Sequence, residues 1–387
     1  MCTNELPQQI IETSCATHFH KMKKHKTILL LIFLFLTGIQ FSFAQQKTEN
    51  IIIITTDGFR WQEAFGGMDT AIANSKKFNQ GDSALIFKKY WSNNVNERRK
   101  KLLPFLWNTI SKHGQIYGNR TYGNNVDNAN PYWFSYPGYS EIFCGFVDTL
   151  INTNSYKNNP STNVLEFINK HPEFKNKVAA FGAWEAFDRI LNKPRCNFPV
   201  IAAFSPTGGK TPTAKEQLIN SMLMDSYKPW DLGECLDVFT HYEAMEYLKT
   251  RKPKVLYIAY GETDEWAHAG RYKDYLESAH QFDKWVQDIW NYIQNDPQYK
   301  NKTSLFITVD HGRGDKIKDQ WTDHGSDISD AHEIWFAVMG PDVPAKGEVK
   351  TEMQIYQKQF AQTIASLLGL KFTAEHPVAK GISEVKK

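Results

Sequence analysis

The sequence predicts an α/β fold with a mainly parallel central sheet sandwiched by helices. Three observations carry that prediction. Residues 49–56, 254–260 and 303–309 are continuous apolar runs rich in β-branched residues, the pattern of strands buried on both faces. Stretches of helical periodicity, such as 234–250 and 272–294, separate or follow them. An Asp then follows closely on each run, at Asp57, Asp264 and Asp310, and strand ends are where α/β sheets place ligand chemistry.

The chain has 387 residues, and its start reads as a targeting segment. Met22-Lys23-Lys24-His25-Lys26 is a positive n-region, residues 27–43 an apolar core, and Ser42-Phe43-Ala44 offers small residues for cleavage. The expectation is a signal peptide cleaved after Ala44, with residues 1–21 an over-extended reading frame and Met22 the true start. The apolar core is too short for an anchor, so no membrane span is expected after cleavage, and the protein is expected to be periplasmic or secreted. Residues 45–387 are then expected to form one domain. The formal net charge is +3, most of it in the leader, which holds four Lys and two Glu. A near-neutral mature chain gives no reason to expect a nucleic-acid partner. Three cysteines remain, Cys144, Cys196 and Cys235, without metal-binding spacing, which allows at most one disulfide.

In order along the chain, 49–56 is a buried strand and 101–113 a helix leading into a short strand at 115–118. A short helix follows at 137–144, another at 163–169, then a strand at 177–181 and a helix near 184–190. Residues 192–232 hold several Pro and Gly and no clear strand, so they are expected to form a cap-like insertion beside a pocket. Helix 234–250, strand 254–260, helix 272–294, strand 303–309, strand 333–339 and helix 353–368 complete the series.

The candidate chemistry lies at strand ends. Asp57-Gly58 follows the first strand, where the carboxylate either caps a helix or faces a ligand. In Phe134-Ser135-Tyr136-Pro137-Gly138-Tyr139-Ser140, Ser135 stands two residues before a helix-opening Pro. Exposed N–H groups and the helix dipole favour an anion there, although a simple N-cap Ser has the same signature. Asp264 and His268 are four apart, which places both on one face of a helical turn, as a chelating pair or a surface pair. Asp310-His311-Gly312 closes the third strand and Asp323-His324-Gly325 follows a loop. Taken singly each is ordinary; together, carboxylates and imidazoles at three strand ends point to a metal site.

This ordered set resembles the alkaline phosphatase superfamily, most of all its nucleotide pyrophosphatase/phosphodiesterase and cofactor-independent phosphoglycerate mutase branches. The resemblance runs from about residue 50 to 345. It implies two divalent metal ions, most often Zn²⁺ with Mn²⁺ as the alternative. It implies that Asp264, His268 and His324 hold one, and that Asp57, Asp310 and His311 hold the other, with Ser135 bound to it as nucleophile. The implied activity is hydrolysis of small phosphate esters, monoesters ahead of diesters, through a phospho-Ser intermediate. Diesterase relatives place an Asn some twenty residues after the nucleophile, and Asn154 is the favoured candidate among Asn154, Asn158 and Asn159. The sulfatase pattern Cys-x-Pro-x-Arg is absent, since Ser stands at 135 and no Arg follows at the required spacing. The 128 residues between Ser135 and Asp264 leave too little room for the mutase's second domain. Sulfate- or phosphonate-ester hydrolysis and phosphotransfer on the same scaffold are the alternatives, and the oligomeric state is left open. Arg313, Lys316 and Lys318 would bind substrate charge or lie in a solvated loop. Trp184, Trp266 and Trp321 would line a pocket or pack in the core.

Overall fold

A computed structural model describes Met1 and residues 47–386. The expected signal peptide and, apart from Met1, the extension before it lie outside the described residues. Ten strands are described. β1 (Asn50–Thr56), β2 (Gly114–Tyr117), β4 (Val178–Gly182), β5 (Val200–Ala202), β6 (Val255–Tyr260), β7 (Thr303–Thr308), β8 (Phe336–Met339) and β9 (Gly347–Glu348) form one sheet in the order β5-β4-β6-β1-β7-β8-β2-β9. β3 (Asn124–Asp127) and β10 (Met353–Tyr356) pair separately and in parallel.

Neighbours in the large sheet are parallel except for β8, which runs antiparallel to both β7 and β2. Ile51 of β1 stands opposite Val255 on one side and Ser304 on the other, so β1, β6 and β7 run in step. Every residue of these three strands is buried, as their unbroken apolar runs require when helices cover both faces. Their C-terminal ends therefore emerge side by side at one edge of the sheet, which is the arrangement that gathers Asp57, Asp264 and Asp310.

Six helices matter for the site and its surroundings: α1 (Ser135–Cys144), α2 (Ala214–Asp225), α3 (Asp237–Arg251), α4 (Glu262–His268), α5 (Tyr272–Asn295) and α6 (Phe360–Leu367). α1 is buried along its whole length and closes on Gly145 in the left-handed region, φ +73°, as a C-cap glycine permits. Cys144, Cys196 and Cys235 are all buried free thiols.

Three expectations about elements are corrected. The helix expected over 101–113 is broken: one helix spans Val95–Leu102, and a wide turn follows Pro104 in which the Ser111 N–H reaches Leu106 O. The helix expected from 353 begins only at Phe360, because residues 353–356 pair with β3 as β10. Its partner strand, Asn-Asn-Val-Asp, has a composition that gives no strand signal. The segment 192–232 is more regular than its Pro and Gly content suggests. It adds β5 as the sheet's edge strand and holds α2, which starts with a reciprocal Thr213–Glu216 capping box.

Candidate metal centre

Asp57 is the first residue past β1. Gly58 follows with φ +56°, and a Cβ there would lie 2.6 Å from Asp264 Oδ1 and 3.0 Å from His311 Cε1, so only glycine lets the three segments close together. The Gly58 N–H donates to Asp310 Oδ1 (3.1 Å), Tyr139 OH donates to Asp57 Oδ2 (3.0 Å), and Thr263 Oγ1 donates to the Asp57 carbonyl (2.5 Å). The Asp310 carbonyl accepts from Asn128 Nδ2 (2.7 Å) and Gln357 Nε2 (2.8 Å). α1 approaches so closely at Gly138 that a Cβ would run into that same carbonyl oxygen. The backbone around Asp57 and Asp310 is thus fixed from five separate parts of the chain.

His311 Nδ1 donates to Gly312 O at 2.9 Å, which leaves Nε2 as the reacting nitrogen. Nε2 lies 3.2 Å from Asp57 Oδ1, 3.4 Å from Asp310 Oδ2 and 3.7 Å from Asp264 Oδ1. Ser135 Oγ is 3.3 Å from it, at the first turn of α1. Two groups of possible ligands come within metal-binding reach: Asp57 with Asp310 and His311, and Asp264 with His311 and His324. One imidazole nitrogen with one lone pair serves one cation. If His311 joins Asp57 and Asp310, the other group completes itself with His268, whose Nε2 is 3.1 Å from Asp264 Oδ2 and 3.0 Å from His324 Nε2.

The electrostatics of the site follow from burial and from crowded charge. Burial raises the pKa of Asp57, and Asp264 adds to the rise; burial followed by Asp57 raises Asp310 well above the carboxylate range. Burial opposes charge on His311, yet Asp310, Asp57 and Asp264 outweigh it and hold its pKa at about 9. Burial also works against the Asp264 carboxylate, but Arg313, and then His268 and His324, pull it well below its usual range. Burial, then His311 and Arg313, push His324 well below its ordinary value, which keeps it neutral with a lone pair to offer. Asp57 Oδ1, Asp310 Oδ2 and His324 Nδ1 are buried without a hydrogen-bond partner. Crowded carboxylates with orphaned oxygens, together with the imidazoles of His311 and His324, form a donor set that suits divalent cations such as Zn²⁺.

All eight residues singled out from the sequence lie at or beside this sheet edge. Asn154 Oδ1 accepts from the Tyr136 N–H (2.9 Å), so this side chain caps the start of α1 directly after Ser135. Arg313 is neither in a solvated loop nor open to an anion. It is buried, donates to Asp264 Oδ1 and to Asp264 O (3.0 Å), and donates to Thr322 O (2.6 Å). Lys316 pairs with Asp330, and Lys318 with Asp69 and Asp315. Trp321 is fully buried among Phe78, Tyr272 and Tyr275 and belongs to the core; Trp266 stays partly exposed and packs on Trp230. Tyr139, Asn128, Gln357 and Thr263 also support the centre and were missed from sequence. Only Tyr139 carried a signal, as part of the Ser-Tyr-Pro-Gly-Tyr-Ser motif.

Residues 218–372 match the family model described as Metalloenzyme superfamily. No curated protein sequence matches the chain. Among solved structures, the chain is similar to the wild-type alkaline phosphatase PafA, with a TM-score of 0.55 at 10% identity over 88% of this chain and 99% of that one. It is also similar to the lipoteichoic acid synthase LtaP from Listeria monocytogenes, with a TM-score of 0.55 at 12% identity over 88% and 76%. A putative sulfatase from Bacteroides thetaiotaomicron gives a TM-score of 0.54 at 13% identity over 86% and 73%. The shared fold thus spans phosphatase, sulfatase and synthase and singles out no branch. The family match covers the segment that bears five of the candidate ligands, Asp264, His268, Asp310, His311 and His324, and the solved structures show an alkaline-phosphatase-like α/β fold.

Proposed function

We propose that this protein is an exported, two-metal phosphoesterase that uses Ser135 as its nucleophile. The observation that carries this reading is that Ser135 Oγ meets His311 Nε2 at 3.3 Å, at the edge where two Asp/His groups converge. Asp57, Asp310 and His311 would hold one cation beside Ser135, and Asp264, His268 and His324 the other. Zn²⁺ fits the donor types best, and Mn²⁺ is the alternative. When bound, such a pair stabilises the Ser alkoxide and the departing ester oxygen.

The chain's own groups do the rest. Ser135 Oγ attacks phosphorus, an O–P bond forms, and the bond to the leaving alcohol breaks. Water then hydrolyses the phospho-Ser and returns the hydroxyl. α1 directs its positive end at the anion in both steps. Asn154 uses its amide oxygen on the Tyr136 N–H, which turns its Nδ2 into a candidate donor to a phosphoryl oxygen. The leader at 22–44 supports export to the periplasm or beyond, and we take 45–387 as one hydrolase domain with 192–232 at its margin.

Sequence alone ordered the substrates with monoesters ahead of diesters. The engagement of Arg313, Lys316 and Lys318 with other groups favours the reverse, since a monoester dianion calls for a free cationic side chain and a diester monoanion does not. The test is turnover by the Zn²⁺-loaded protein of bis-p-nitrophenyl phosphate, p-nitrophenyl phosphate and p-nitrophenyl sulfate. The diester is expected to be cleaved fastest, and Ser135→Ala to lower that rate by more than about 10³-fold. Full turnover by the variant would remove Ser135 from the mechanism, and a preference for the sulfate ester would overturn the substrate class.

A further inference from the structure

The two groups of ligands draw on the same residue types but differ in charge, by one unit from a second carboxylate in the inner group and by one more from Arg313 beside the outer group. The inference rests on the two-cation reading. The inner group combines two buried carboxylates, Asp57 and Asp310, with His311, and no Arg or Lys is bonded to either carboxylate among the described residues. The outer group has a single carboxylate, Asp264, and its Oδ1 is already bound by a guanidinium. A guanidinium is a permanent positive charge in proteins. Arg313 is 1% exposed, so water does not screen it, and bonds to Asp264 O and Thr322 O hold it in place. The formal charge offered to a cation is therefore near −2 at the inner position and near zero at the outer one. Exposure runs the same way, with the His311 side chain at 0% and that of His268 at 39%.

Arg313 also helps to orient Asp264, so its removal has two opposed effects on a cation bound there. Repulsion dominates, because the backbone of α4 still places Asp264 beside His268 and His324 without Arg313. We propose that the centre loads in sequence. The inner position binds a divalent cation tightly, and the outer position binds one weakly and exchangeably. Arg313 sets the gap, so that the supply of the second cation governs how much of the protein is assembled.

The experiment is a calorimetric titration of the metal-free chain with Zn²⁺, with metal content measured after dialysis and folding checked by circular dichroism. Wild type is expected to bind in two steps at least about 100-fold apart and to keep one equivalent after dialysis. Arg313→Gln is expected to tighten the second step about 10-fold or more and leave the first unchanged. Arg313→Lys keeps the charge and should keep the wide gap, which tests the idea even if the Gln variant fails to fold. His268→Ala should weaken the second step further and leave the first unchanged. Two equivalent sites in wild type, a weakened or unchanged second step in Arg313→Gln, or a closed gap in Arg313→Lys would each overturn the proposal. A wild-type chain that never takes up a second equivalent would overturn the two-cation reading itself, and this inference with it.

Discussion

The inner and outer halves of the centre differ in how the chain builds them. Asp57 and Asp310 sit at the ends of central parallel strands, and their positions are fixed by Gly58, Tyr139, Thr263, Asn128 and Gln357. Asp264 and His268 sit on the seven-residue α4, and His324 lies in a loop with an unpartnered Nδ1. The inner half is preorganised by the sheet, whereas the outer half is gathered from pieces that owe less to it. Rigid support and negative charge thus fall on the side where Ser135 stands.

The largest expected effect tests that contrast directly. Asp310→Asn should remove the inner cation and lower turnover by more than about 10³-fold, with no recovery in excess Zn²⁺. His268→Ala should lower it by about 10–100-fold, with much of the loss recovered as Zn²⁺ is raised. Equal rescue of both variants, measured by steady-state kinetics across Zn²⁺ concentrations, would erase the distinction. Next comes Gly58→Ala. An alanine at φ +56° costs about 1–2 kcal/mol, and crowding against Asp264, Arg313 and His311 adds about 1–3 kcal/mol. Denaturant unfolding should report that loss, and metal content should fall with it.

The smallest effect lies away from the centre and serves as its control. Glu243 on α3 is buried with Oε1 unpartnered, and burial pushes its pKa up to about 8. Between pH 4.5 and 8 the folded chain therefore holds a proton that the unfolded chain has released, so stability declines as pH rises through that window. From pH 7 to 9 the expected loss is about 1.4 kcal/mol. Glu243→Gln should flatten this slope in denaturant titrations without changing metal uptake.

What could be read in the sequence depended on how local the signal was. β1, β6 and β7 were legible because each is a continuous apolar run that needs no partner to be recognised. The acids that follow them were legible for the same reason, as was the i, i+4 spacing of Asp264 and His268. Arg313 was not, because its role depends on Asp264 and Thr322, which reach it only after folding. Asn128 and Gln357 are 229 positions apart, yet they meet on one carbonyl. β10 was misread because its strand character comes from pairing with a polar partner rather than from its own residues.

The central claim is that two cations lie at this edge of the sheet, and anomalous diffraction at the zinc absorption edge from crystals grown with Zn²⁺ tests it most directly. The account predicts two peaks about 4 Å apart, one among Asp57, Asp310, His311 and Ser135 and the other among Asp264, His268 and His324. A single peak, or peaks away from these side chains, would contradict it.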